Sequence, residues 1–156
     1  MHEHEIYFSL AAQCAKRSTC KKDYCGAVIV KHGVVIGEGW NTPAGDREDQ
    51  RMCDVVEYDW MKKMKTDKTC CMHAEWRAIL DAVRRHPDRI IGSTLYFTRV
   101  DREGMLLQSG EPYCTVCSRF ALDVSIAQFA LWQETGIRLF DTAEYNQLSY
   151  AFHKIL

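Results

Sequence analysis

Apolar residues near the start of the chain recur every three to four positions. Ile6, Leu10 and Cys14 share one face of a helix over residues 3–17. Acidic residues stand at the start of this segment and Lys16 and Arg17 at its end, the arrangement that the helix dipole favours. We therefore predict a first helix here.

Short runs rich in β-branched residues come next. CGAVIV and VVIGEGW, with the turn KHG between them, predict a hairpin over residues 25–40. Further strands are predicted over residues 93–100, 125–132 and 136–141, and residues 105–108 are expected to pair back as an extra ribbon. Only QETG separates the last two strands, which is enough for a hairpin but too short for a parallel crossover. The fifth strand should therefore run antiparallel to the fourth.

Helical spacing returns in three later segments. Residues 46–65 and 72–86 both show it, and a short helix should run from near Cys114 to about Val124. A last helix closes the chain, with Thr142 as its predicted N-cap. The residues expected to face inward are Met52, Val56, Trp60 and Met64 in the first segment, and Ala78, Ile79, Ala82 and Val83 in the second.

The order of these elements predicts the fold class. It is an α/β protein, a three-layer α/β/α sandwich with a five-stranded mixed sheet whose last strand is antiparallel. The chain has 156 residues without an internal repeat or a linker-like segment, so residues 1–156 are expected to form a single domain.

Composition narrows the class of protein further. The formal net charge is −1, which gives no general attraction to nucleic acid or anionic membranes. No apolar run is long enough to cross a membrane, and the acidic start MHEHEIYFSL is unlike a signal peptide. A cytoplasmic location is therefore expected, where the eight cysteines should be thiols, metal ligands or catalytic groups rather than disulfides.

Two of these cysteines carry the strongest chemical signal. Cys114 and Cys117 stand three apart at the start of a predicted helix, and His73 stands at the start of another. One imidazole and two thiolates are three ligands of a tetrahedral zinc, which leaves the fourth position for water, as in catalytic sites. Zinc makes hydroxide available near neutral pH. Glu75, two residues after His73, is the natural group to take a proton from this water and pass it to a substrate.

Other interpretations of the cysteine pair fit less well. A thioredoxin-like redox pair belongs near the first strand of a βαβ unit, and here the pair is late in the chain. A structural zinc ribbon needs a second Cys-x-x-Cys, which the sequence lacks. A catalytic zinc is the favoured hypothesis, with a catalytically silent zinc-binding subunit and a thiol redox protein as alternatives.

The motif resembles that of a known family. His73-x-Glu75, followed by Pro112-Tyr113-Cys114-x-x-Cys117, matches the H-x-E…P-C-x-x-C pattern of the zinc nucleobase deaminases. The hairpin CGAVIVKHGVVIGEGWNTPAG and the strand LYFT also resemble the deoxycytidylate deaminases, so we identify the chain as similar to the cytidine/deoxycytidylate deaminase superfamily.

Three features depart from the family pattern. Tyr113 is inserted between the proline and the first cysteine, and residues 100–110 lengthen the preceding loop. The antiparallel last strand and the ending LSYAF resemble the free-nucleoside cytidine deaminases instead.

The resemblance also implies residues that bind substrate. Asn41 would form a hydrogen bond to the sugar or base from the rim of the substrate pocket. The alternative interpretation is that Asn41 stabilises a turn. The backbone N–H of Ala74 would face the pyrimidine carbonyl, and Tyr113 is the best-placed wall for the base. Three other aromatic residues are candidate walls: Trp40, Phe97 and Trp132.

Some deoxycytidylate deaminases carry a second, structural zinc near the first hairpin. By resemblance, a second site is expected here at Cys20, Cys53 and Cys71, with Cys70 as an alternative to Cys71. The other interpretation is that these are reduced thiols without a metal. The two remaining cysteines are predicted as small core residues: Cys14 and Cys25.

The resemblance implies an activity and a class of partner. The protein would be a zinc-dependent aminohydrolase that releases ammonia from a cytosine-containing nucleoside or nucleoside monophosphate, and a homo-oligomer. Rival substrates are another amino-heterocycle: a free base, a purine, or a base in single-stranded nucleic acid, which the near-neutral charge disfavours. Four arginines could bind a phosphate but are better interpreted as solvated surface residues: Arg77, Arg99, Arg102 and Arg119.

Overall fold

The computed structural model describes residues 2–53 and 70–152. Four helices and eight strands are found in these ranges. The helices are α1 (Glu3–Ala15), α2 (Ala74–Arg85), α3 (Thr115–Asp123) and α4 (Thr142–Phe152). The strands are β1 (Tyr24–Lys31), β2 (Val34–Trp40), β3 (Thr42–Pro43), β4 (Cys71–Met72), β5 (Thr94–Val100), β6 (Leu106–Leu107), β7 (Gln128–Gln133) and β8 (Gly136–Asp141).

In the described residues the main sheet has six strands: the five predicted ones, in the order β2-β1-β5-β7-β8, and the short β6 beside β5. Only β5 and β7 are parallel, and α3 lies in the connection between them, as a parallel return requires. Strand β8 runs antiparallel to β7 with only Glu134 and Thr135 between them, so the predicted antiparallel last strand is confirmed. The short β6 pairs with the end of β5, and β3 and β4 form a separate two-stranded ribbon.

Side chains alternate between the two faces of this sheet, so two cores form. One core packs the sheet against α2, α3 and α4, and it includes Ile79, Phe129 and Tyr145. The other packs it against α1, around Phe8 and Tyr96. The three-layer α/β/α class with a mixed sheet is therefore confirmed.

Two glycines of β2 determine how closely α2 approaches the sheet. A Cβ added at Gly39 would overlap the backbone of Ala74 and Ala78, and one at Gly37 would overlap that of Ala78 and Ala82. The helix therefore packs its backbone and small side chains directly onto the strand. This contact holds the first turn of α2 at the end of β2.

Two local predictions are wrong. Val83 was expected to face inward but is 40% exposed, because the inward stripe of α2 follows Ala78, Ile79 and Ala82. Thr142 lies inside α4 and does not cap it, since the carboxylate of Asp141 accepts hydrogen bonds from the first N–H groups of the helix.

The helix predicted over residues 46–65 is only partly tested. Residues 48–50 form a short 3-10 turn and Met52 lies outside any helix. Val56, Trp60 and Met64 lie outside the described residues. None of the helices in the described ranges has the length and apolar character that a membrane span needs.

Replacing Gly39 by alanine tests the close approach of α2. We expect Gly39→Ala to lower the free energy of unfolding by about 1–3 kcal/mol, because the new methyl group has no space in front of the Ala74 carbonyl. The control is Gly110→Ala, where an added Cβ meets no atom within 4 Å. Urea denaturation of both variants makes the comparison, and equal stabilities would contradict this account of the packing.

Candidate active site

The N-termini of α2 and α3 meet, and each carries side chains that bind metals. His73 immediately precedes α2, and Cys114 caps α3 by accepting a hydrogen bond from the Cys117 N–H. The Nδ1 atom of His73 lies 3.2 Å from Sγ of Cys117 and 3.6 Å from Sγ of Cys114. Within residues 2–53 and 70–152, these three form the one group of at least three His, Cys, Asp or Glu ligand atoms that all lie within 4.8 Å of one another.

The ribbon of β3 and β4 determines where His73 lies. Cys71 and Met72 pair with the segment after β2, so the chain enters α2 from a defined place. The imidazole ring then stacks on Trp76, with ring centroids 4.1 Å apart and planes 3° from parallel. The metal-binding motif does not predict this ring contact. The signal that could have indicated it is the position of Trp76, three residues after His73 on the same helix face.

Arg77 links α2 to the segment that follows β2. Its guanidinium donates to Thr42 Oγ1 and forms an ion pair with Asp46 at 2.6 Å. This hydrogen bonding lowers the pKa of Asp46 to about 2. Arg77 was expected to be a solvated surface residue, but it holds the loop beside the metal ligands.

Glu75 lies in the first turn of α2 and is only 5% exposed. Burial raises the pKa of its carboxyl to about 7, with the nearby Cys114 adding to the increase and His73 opposing it. A carboxyl group in this position can both accept and donate a proton near neutral pH.

The two thiols differ in environment. The hydrogen bond from Cys117, with further contributions from His73, lowers the pKa of Cys114 to about 5 despite its partial burial. Burial raises the pKa of Cys117, which is fully enclosed. Cys114 also stands at a helix N-terminus, which stabilises a thiolate.

This set of donors fits zinc. One imidazole nitrogen and two thiol sulfurs are ligands that zinc prefers, and three protein ligands leave one position for water or substrate. The short distances among the three atoms allow them to share one ion.

Asn41 is buried at the end of the first hairpin. Its Oδ1 accepts a hydrogen bond from the Cys25 N–H and its Nδ2 donates to the Asp23 carbonyl, both at 2.8 Å. These bonds are those of a residue that holds the hairpin end together. Its contact with substrate stays a prediction.

The candidate aromatic walls are found in different places. Tyr113 is 56% exposed, with its ring edge-on to Phe152 at 5.7 Å. Phe97 packs against the core on the side of α2, whereas Trp132 packs on Phe8 under α1. Trp132 is therefore on the face of the sheet opposite the metal ligands, because side chains of β7 alternate between faces.

The remaining candidate wall, Trp40, lies at the end of the first hairpin, as does Cys25. Trp40 lies against the guanidinium groups of Arg17 and Arg77, at 3.5 and 4.9 Å from its ring centroid. Cys25, assigned from sequence to the core alone, is half-buried on the same face as Phe97. Burial raises the pKa of Cys25, and the charge of Glu75 is the next largest cause of the increase.

The four cysteines named for a second zinc interact with one another, although no three of them have all their Sγ atoms within 4.8 Å of one another. Partial burial would raise the pKa of the Cys70 thiol, but hydrogen bonds, among them those with the thiols of Cys53 and Cys71, lower it overall. After burial, the charge of Cys20 is the next cause that raises the pKa of Cys71 to about 12. Cys70, the alternative ligand, is thus in direct contact with Cys53. A shared metal at this place stays a prediction.

Sequence comparison extends these observations to related proteins. Residues 1–132 match the family model "Cytidine and deoxycytidylate deaminase zinc-binding region". Deoxycytidylate deaminase of Mycobacterium phage D29 is 33% identical over 100 residues, 61% of this chain and 76% of that protein. Deoxycytidylate deaminase of Schizosaccharomyces pombe is 28% identical over 80% of this chain, which spans only 34% of that longer protein.

Solved structures show the same fold. Cytidine deaminase from Burkholderia pseudomallei has a TM-score of 0.59 at 12% identity, covering 91% of this chain and 94% of that one. The dCMP deaminase of cyanophage S-TIM5, solved in complex with dCMP and dUMP, has a TM-score of 0.54 at 22% identity, covering 81% and 77%.

A mixed sheet with a His-Cys-Cys cluster beside a buried glutamate defines a zinc-dependent deaminase, which is a hydrolase. The chain belongs to the cytidine and deoxycytidylate deaminase family.

Proposed function

We propose that this protein removes the exocyclic amine of deoxycytidine monophosphate by hydrolysis, giving deoxyuridine monophosphate and ammonia. The observation that carries the proposal is the His73, Cys114 and Cys117 cluster beside the buried carboxyl of Glu75. The two deoxycytidylate deaminases that match the sequence support this choice of substrate over a free nucleoside.

Each residue of the site has a defined task in this proposal. His73, Cys114 and Cys117 hold the zinc, which when bound acts as a Lewis acid and makes hydroxide available near neutral pH. Glu75 takes a proton from the attacking water and gives it to the ring nitrogen next to the amine. A second transfer through Glu75 protonates the amine, which leaves as ammonia. Burial keeps bulk water from competing for these protons.

Substrate contacts complete the proposed site. Ala74 is the first residue of α2, so its N–H has no partner within the helix and is free to donate to the pyrimidine carbonyl. Tyr113 is exposed beside Cys114 and would cover the base, and the remaining donor of Asn41 would reach the sugar.

We also propose a second, structural zinc at Cys20, Cys53 and Cys71. The contacts of Cys70 with Cys53 and Cys71 support it and add Cys70 as a fourth ligand. Four thiolates are a usual ligand set of structural zinc. Such an ion would join the loop before β1 to the chain that leads into His73.

The third part of the proposal is a homo-oligomer formed through α2. Trp76, Leu80 and Val83 follow a helical stripe, in which Leu80 is 37% and Val83 40% exposed. Phe120 of α3 extends this apolar surface and is 44% exposed. A second copy of the chain would cover the stripe, which begins next to the metal ligand His73.

Replacing Glu75 by glutamine tests the proposed activity. We expect Glu75→Gln to lower ammonia release from deoxycytidine monophosphate by about 10²–10⁴-fold while zinc remains bound, because the amide cannot carry the proton. Cytosine, cytidine, deoxycytidine, adenosine, guanine and a short single-stranded oligonucleotide complete the substrate panel. Turnover of one of these in preference to the monophosphate would replace the proposed substrate. A zinc-loaded wild-type protein inactive on all would support a silent subunit.

Metal analysis of four proteins tests both zinc sites. We expect two equivalents of zinc in the wild type and one in Cys114→Ala and in Cys53→Ala, since each loses one ligand set. Cys14→Ala is the control, because Cys14 is buried under α1 on the other face of the sheet and should leave both ions bound. If the wild type and Cys53→Ala both bind one equivalent of zinc, the structural site is refuted and the catalytic site is not.

Sedimentation analysis tests the oligomer. We expect Leu80→Lys to shift the wild-type assembly towards monomer, because a charge in the apolar stripe opposes its burial. Ile91→Lys places the same charge at an apolar residue that is 64% exposed outside the stripe, and it should sediment as the wild type does. A monomeric wild-type protein would show that this part of the proposal is wrong.

A further inference from the structure

We propose that Arg99 binds the phosphate of the substrate and determines the preference for a nucleoside monophosphate over the free nucleoside. This inference rests on the proposed function and adds a residue that the deaminase motif does not contain. Sequence alone favoured a solvated surface arginine at this position. Three structural observations change that interpretation.

The first observation is the face of the sheet on which Arg99 lies. Leu95 and Phe97 of β5 pack into the core under α2, whereas Tyr96 and Val100 pack under α1. Because side chains alternate along a strand, Arg99 lies on the same face as Phe97. The metal ligands and Glu75 stand at the helix N-termini above that face.

The second observation is the neighbour of Arg99 across the sheet. Arg99 pairs directly with Cys25 of β1, and Cys25 packs against the core on the α2 side of the sheet. The charges of Glu75 and Arg99 both act on this thiol, Glu75 raising its pKa and Arg99 lowering it, so both groups lie within electrostatic range of Cys25. A ligand whose amine is at Glu75 and which extends over Cys25 would therefore reach the guanidinium with its other end.

The third observation is that Arg99 is half-buried without a carboxylate partner. Its guanidinium forms no ion pair in the described part of the chain, and the one hydrogen bond of that group there is a long contact of 3.5 Å to the Gln108 carbonyl. Two other arginines, Arg77 and Arg51, are by contrast bound to Asp46 and Glu48. The guanidinium of Arg99 thus keeps donors available for an anion.

These features match the chemistry of a phosphate ester. A guanidinium presents paired N–H groups that fit two phosphate oxygens, and a half-buried position strengthens the attraction relative to open water. The short strand β6 pairs with β5 at Arg99, so the backbone that carries the arginine is held on both sides.

The test compares deoxycytidine monophosphate with deoxycytidine on four zinc-loaded proteins: wild type, Arg99→Met, Arg99→Lys and Arg102→Met. We expect Arg99→Met to lower kcat/KM for the monophosphate by about 10- to 100-fold, through KM, because a charged hydrogen bond to a non-reacting group is lost. The value for deoxycytidine should not change. Arg99→Lys should keep part of the preference for the monophosphate, because lysine retains the positive charge but lacks the paired N–H groups of a guanidinium. Arg102→Met should match the wild type, since Arg102 is exposed in a turn beside Lys16.

Calorimetry with the products gives a readout independent of turnover. Arg99→Met should weaken binding of deoxyuridine monophosphate but not of deoxyuridine. If Arg99→Met keeps the wild-type preference for the monophosphate, or if its kcat/KM falls equally for both substrates, the role of Arg99 is refuted while the proposed activity stands. If the wild type itself does not prefer the monophosphate, the proposed substrate is wrong and the phosphate role of Arg99 with it.

Discussion

The geometry of the site depends on how closely α2 can lie against β2. Gly37 and Gly39 leave no side chain between the strand and the helix backbone, so the first turn of α2 packs directly against the sheet. A close-packed interior does not absorb an added methyl group without movement. Any outward shift of α2 would carry His73 and Glu75 away from the cysteines on α3, which are held by a different part of the sheet.

A second set of contacts fixes the direction from which the chain enters α2. The pairing of β3 with β4, the hydrogen bonds of Arg77 to Thr42 and Asp46, and the stacking of His73 on Trp76 all act on the same short segment. Apart from His73 itself, none of these groups has a role in the proposed reaction. They restrict the imidazole to one orientation, which a ligand of a metal needs.

The electrostatics of the site favour a bound cation. The carboxyl of Glu75 and the thiols of Cys114 and Cys117 are enclosed together, and burial of several acidic groups without compensation is unfavourable. A divalent ion at the three ligand atoms offsets this cost. The same site thereby couples metal binding to the stability of the two helix N-termini.

Sequence by itself determined the reacting groups and most of the elements that carry them. The spacing of His73 from Glu75 and of Cys114 from Cys117 places each pair within one helical turn, and that relation is local in the chain. The antiparallel β8 also followed from sequence, because four residues cannot make a parallel crossover. These features depend on neighbours along the chain, which the sequence displays directly.

Tertiary structure decided which distant residues join the reacting groups. Trp132 was a candidate wall but lies under α1, whereas Arg99 and Cys25 lie on the face of the metal ligands. Arg77 looked like a surface residue but pairs with Asp46. Strand register and helix packing set these positions, and a shift of one residue along a strand would move each side chain to the opposite face.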